Sequence, residues 1–130
     1  MKTKEEYINY KLRKAGEALK EAETPVANNF YEAAVSRLYY SAFYAVNALL
    51  INMDLNPKTH KGAKSLFQKE FIHTGKIDKK FSDFYTFMMA KRFEMDYEDF
   101  SYVDKEKVPD YFQEANEFLE LVKQKLNLKQ

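Results

Sequence analysis

Arg92-Phe93-Glu94-Met95-Asp96-Tyr97 gathers a permanently charged guanidinium, two carboxylates and a phenol in one short stretch. Arginine presents a planar fork of donors that matches phosphate and carboxylate oxygens. Tyrosine can stack, donate a hydrogen bond or carry a modification on its hydroxyl. Two readings stand side by side. In one, the charges form an ion pair that holds a helix end together; in the other, Arg92 stabilises negative charge on a phosphate ester.

Other residues add to the second reading without deciding it. Arg37 is the only charge between Glu32 and Asp54, so it must reach water or find a carboxylate, for which Asp96, Glu94 and Asp83 are candidates. Alternatively, Arg37 and Arg92 face one pocket and hold phosphates between them. His60, with Lys61 and Lys64, follows a capping threonine, a position suited to an anion and equally to plain surface exposure. Tyr39, Tyr40 and Tyr44, with Phe30 and Phe43, could stack on bases, but aromatic residues at helical spacing ordinarily build a core. Glu70-Phe-Ile-His73 has the i, i+3 spacing of a di-iron helix, yet such a site needs two copies and further inward glutamates. No metal or cofactor is expected. P-loop, GxGxxG, GxSxG and HExxH patterns are missing, so nucleotide hydrolysis, dinucleotide chemistry, serine hydrolysis and zincin activity lack support.

The elements that must position these residues are helical. Thr3 is a plausible N-cap for a first helix, in which Ile8, Leu12, Ala15, Leu19 and Ala22 share one face until Thr24-Pro25 closes it. Asn28 and Asn29 are cap candidates for a second helix that runs to about Met53 and is apolar nearly all round, as a central buried helix is. Asp54-Leu-Asn-Pro57 is a turn. Thr59 caps a third, shorter helix with Ala63, Leu66, Phe67 and Phe71 inward, and Thr74-Gly75 allows a left-handed end. Asp78 caps a fourth, whose stripe of Phe81, Phe84, Tyr85 and Met88 leads to Arg92 at i+4. The last helix starts between Asp104 and Asp110, with Val108, Phe112, Ala115, Leu119, Val122 and Leu126 on its inner face. The expected fold is all-α, an up-and-down four-helix bundle with an additional short helix, in one domain spanning residues 1–130.

Composition fits this and narrows the partners. The chain has three Gly, three Pro and no Cys, which suits a helical protein and excludes thiol chemistry. The first residues lack an apolar h-region and carry acids, so neither a secretory signal nor a transit peptide is expected, and the location expected is cytoplasmic. Residues 33–53 read as a core helix rather than a membrane span. A net charge of +1 hides a segregation: residues 57–92 hold nine basic and three acidic residues, while residues 93–130 hold five and ten. The basic third could attract phosphates or simply face the acidic final helix.

The strings SRLYYSAFYAVNALL, Thr59-His-Lys-Gly62 and RFEMDY, in this order and spacing, resemble the HEPN domain family over about residues 4 to 126. The resemblance implies a helical bundle that dimerises with its Arg-containing segments facing each other. Many such proteins are metal-independent ribonucleases acting as toxins, often paired with a minimal nucleotidyltransferase; others bind RNA or nucleotides without cleaving them. The ribonuclease signature is an Arg and a His with four to six residues between them. Here Tyr97, Glu98 and Asp99 close that interval, so Tyr97 occupies a place taken elsewhere by His. In members with a motif tyrosine, the resemblance implies adenylylation by the partner as the silencing step. Together with the residue reading this gives Arg92, Tyr97 and Asp96 as expected catalytic residues, Asp96 orienting an arginine, with Arg37, His60, Lys61 and Lys64 expected to hold RNA or nucleotide. On a straight helix Arg92 and Asp96 lie about 40° apart and Arg92 and Tyr97 about 140° apart. A composite site in a homodimer would relieve that mismatch. Tyrosine, with a pKa near 10, is also a poor base without help from neighbouring cations.

Overall fold

The computed structural model describes residues 3–97 and 102–126, and no strand occurs among them. Six α-helices follow one another: α1 (Lys4–Glu21), α2 (Glu23–Ala27), α3 (Tyr31–Asn52), α4 (His60–Phe67), α5 (Lys79–Tyr97) and α6 (Val108–Lys125). The four long ones form the bundle, and α4, extended by a π-helical turn at Gln68–Ile72, is the additional short helix. No helix of the described residues is long and apolar enough to cross a membrane.

Capping chemistry sets the starts. Thr3 accepts from the Glu6 N–H at 3.1 Å while Glu6 accepts from the Thr3 N–H, a reciprocal cap that satisfies two otherwise unpaired donors. Thr59 accepts from the Gly62 N–H at 2.9 Å and so fixes where α4 begins. Asp78 accepts from the Lys80 N–H at 2.8 Å ahead of α5. Gly75 takes a φ of +77°, the left-handed conformation that ends the preceding helical segment. Pro109 sits in the first turn of α6, where its missing N–H costs nothing.

Two local expectations are corrected. Thr24-Pro25 does not close α1; α1 ends at Glu21 and Pro25 lies inside the short helix α2, because a proline is tolerated in a helix's first turn. Nor do Asn28 and Asn29 cap α3. Phe30 holds the cap position with no side-chain hydrogen bond, the Asn28 amide donates to the Thr24 carbonyl, and Asn29 adopts a φ of +63° that turns the chain.

The core is organised around α3, which packs against α1, α5, α6 and α4. Leu38, Tyr39, Val46, Leu49 and Leu50 are buried on it. Phe67 of α4 lies against Tyr85 of α5 and Phe118 of α6, edge-on in both pairs, with centroids 5.8 and 5.7 Å apart. Phe118 belongs to the inner face of α6 although the expected stripe omitted it; it stands at i+3 from Ala115, so the periodicity allowed it. Phe30, by contrast, is exposed. The basic third meets the acidic last helix at Lys80, which lies 3.9 Å from Glu117.

Candidate functional site

Arg92 lies in the last turns of α5, with its side chain 27% exposed. One Nη pairs with Asp96, one turn on, as the i, i+4 spacing allows. Its Nε is buried and has no hydrogen-bond partner among the described residues. Its guanidinium carbon is 4.8 Å from the centroid of Tyr40, within cation–π range. Arg92 is thus clamped by a carboxylate and a ring from another helix.

Arg37 reaches the same ring from its own helix, its guanidinium carbon 5.0 Å from the Tyr40 centroid. Its expected carboxylate partners are corrected. Arg37 pairs with Glu21 of α1 at 2.9 Å and is partly exposed, while Asp96 is taken by Arg92, Glu94 by Lys91 and Asp83 by Lys79. The reason is position: Arg37 lies in the N-terminal third of α3, at a height where the end of α1 passes beside it.

His60 enters from a third direction. As the first residue of α4, behind the Thr59 cap, it lays its ring on Phe43, centroids 4.1 Å apart and nearly parallel, and sits edge-on to Tyr40 at 6.2 Å. Its Nδ1 is hydrogen-bonded to the hydroxyl of Tyr39. Burial lowers the His60 pKa, and the Arg92 charge lowers it further. Tyr39 is itself stacked on Tyr85, with ring planes 5° apart. Its pKa is pushed up to about 12, chiefly by burial, so it keeps its proton at neutral pH. The two tyrosines of the Tyr39-Tyr40 pair therefore differ: Tyr39 is sealed in the core, and Tyr40 is half-buried between cations.

The remaining site candidates lie at the margin. Lys61 is exposed and Lys64 half-buried, the latter one turn from His60 on α4. Tyr97 is 73% exposed, and its ring lies against Phe93, centroids 4.6 Å apart, on a different side of α5 from Arg92. Glu98 and Asp99, the rest of the interval after Arg92, lie outside the described residues. Glu70 and His73 gather no third ligand, and no group of three or more His, Asp or Glu side chains suited to a metal is found among the described residues.

What these parts can do is bind an anion beside an aromatic surface. A family model of the HEPN domain matches residues 8–125. The chain belongs to the HEPN domain family. This HEPN chain is 36% identical over 122 residues to a Thermotoga maritima protein named "UPF0332 protein", covering 94% of the chain and 92% of the relative. Two proteins of Methanocaldococcus jannaschii bear names beginning "Putative toxin". One is 35% identical over 115 residues, with 88% of this chain and 78% of the relative aligned. The other is 32% identical over 124 residues, with 93% and 90% aligned. The fold is the all-helical one the resemblance implied. The core reading of the α3 tyrosines holds for Tyr39, which is buried, while Tyr40 is only partly buried and carries both arginines on its ring. The signal for Tyr40 was its i+3 spacing from Arg37, which places cation and ring on one face.

Proposed function

We propose that this HEPN protein is the toxin-like member of a pair with a nucleotidyltransferase, and that it grips RNA phosphate at Arg92. The observation that carries this reading is the guanidinium of Arg92, held by Asp96 over the Tyr40 ring, with Arg37 over the same ring and His60 at its edge. Fixed donors in a partly dry setting stabilise developing charge at phosphorus better than mobile surface lysines do. The relatives named as toxins support the same direction.

The activity proposed is metal-independent endoribonuclease cleavage at a site completed by a second copy. Tyr97 lies about 140° around α5 from Arg92 of its own chain, and the exposed Phe93 and Tyr97 rings form an apolar edge beside the site on which a second copy could seat. Their exposure also leaves the Tyr97 hydroxyl open to adenylylation. A second reading, RNA or nucleotide binding without cleavage, is favoured by that same turned-away Tyr97, since the site then lacks a base from its own motif.

Incubating the purified chain with structured RNA in chelator tests the first reading. Cleavage by the native protein, abolished in Arg92→Ala and strongly reduced in Tyr97→Phe, is expected; equal cleavage by all three would identify a contaminant and sink the idea. No cleavage, together with RNA or AMP binding that Arg92→Ala removes, would establish the second reading.

A further inference from the structure

We propose that Tyr39 is a positioning residue that holds His60 in the neutral tautomer with its proton on Nε2. The ring then offers a hydrogen-bond donor, and not a base, to a phosphate oxygen held by Arg92. The ligand part rests on the reading of Arg92 given above; the tautomer part does not.

The neighbours of the imidazole decide where its proton sits. The Tyr39 hydroxyl is buried and is hydrogen-bonded to His60 Nδ1. A phenol in the core stays protonated, and an imidazole nitrogen is a stronger acceptor than a phenolic oxygen, so the bond runs from Tyr39 to Nδ1. The buried Tyr85 hydroxyl is near enough to influence the ionisation of Tyr39, yet it makes no hydrogen bond of normal geometry. It is not an acceptor seated to take the Tyr39 proton instead. With Nδ1 accepting, the single proton of a neutral imidazole resides on Nε2, at the ring edge opposite Tyr39. Phe43 fixes the plane of that ring by stacking on it at 4.1 Å. Nε2–H is thereby aimed by two core-anchored residues of α3, although His60 itself is exposed.

The groups around His60 all favour neutrality. Tyr39, Tyr40 and Phe43 from α3 bring no negative charge; Arg92 from α5 repels an imidazolium, and Lys61 and Lys64 on α4 itself are cations. A neutral donor next to a fixed guanidinium suits a phosphate group, whose oxygens accept hydrogen bonds. His60 reads the ligand while Arg92 supplies the charge.

The test is a long-range 1H–15N correlation spectrum of the full chain labelled at histidine, with His73→Gln identifying the second histidine. The neutral His60 signals are expected to show protonation at Nε2. In Tyr39→Phe the bias to that tautomer should shrink and the His60 pKa should rise, because a donor to the neutral form is gone. Protonation at Nδ1 in the native chain, or a fall in pKa in Tyr39→Phe, overturns the proposal. For the ligand part, AMP is the probe. Glutamine carries an amide N–H near the Nε2 position, so His60→Gln should bind AMP within about threefold of the native chain, whereas His60→Ala should lose roughly tenfold. Equal losses in the two variants overturn the donor role. If the native chain binds neither AMP nor RNA but shows the Nε2 tautomer, the phosphate reading of Arg92 fails and the Tyr39–His60 assignment stands.

Discussion

Arg92 differs from a surface arginine in how little of its freedom remains. Asp96 fixes one end of the fork, Tyr40 covers its face, and Nε is buried. Lysine keeps the charge but loses the fork, so Arg92→Lys is expected to behave closer to Arg92→Ala than to the native chain in RNA binding. The second residue-scale prediction concerns pH. The folded chain holds the His60 pKa below the ordinary imidazole value of about 6.5. Between those two values the unfolded chain binds more protons, so stability rises with pH through the interval and is lost as pH falls through it. Urea midpoints should rise from about pH 5 to about pH 7, with a shallower rise in His60→Gln; an unchanged rise in that variant would remove His60 from the linkage. At this scale the pairing of Arg92 with Asp96 was legible, because i, i+4 neighbours on one helix need no tertiary information. The meeting of His60 with Tyr39 and Arg92 was not, since three helices must pack before those groups come together.

Among the elements, α4 bears most directly on the site because its first residue is His60. Gly62 explains why Thr59-His-Lys-Gly62 ends as it does. A Cβ there would meet Thr59 Oγ1 at 3.0 Å, the same atom that caps the helix by accepting from the Gly62 N–H. Gly62→Ala should therefore strain the cap and cost up to about 1 kcal/mol. Gly16, inside α1, is the control, because a Cβ added there would meet nothing within 4 Å. Gly16→Ala should stabilise by roughly 0.5–1 kcal/mol, as a residue with less chain entropy in a helix interior does. Denaturant midpoints moving in the same direction for both would contradict this account. The caps at Thr3, Thr59 and Asp78 were legible because side-chain oxygen followed by a helical pattern is a local signal. α2 was not, because a proline looks alike from sequence whether it ends one helix or opens the next.

For the molecule as a whole, the bundle was legible in the apolar stripes, and its central helix in the near absence of charge along α3. What periodicity could not supply was the relative height of the helices, and that decides that Arg37 meets Glu21 rather than Asp96. Height also decides that Arg92 meets Tyr40, which Arg37 reaches from its own helix at i+3. The proposed second copy belongs to this scale. Sedimentation should give a dimer mass, and Phe93→Asp should shift it to monomer; a native monomer at every concentration would refute the composite site. The central claim is that Arg92 holds an RNA phosphate. Its most direct test is equilibrium binding of a short single-stranded RNA to the native chain and to Arg92→Ala, at fixed moderate salt. Losing hydrogen bonds to a charged group costs about 1.5–3 kcal/mol, so the variant should bind roughly 10- to 100-fold more weakly, with its salt dependence reduced. Equal affinity in the two proteins would contradict the account.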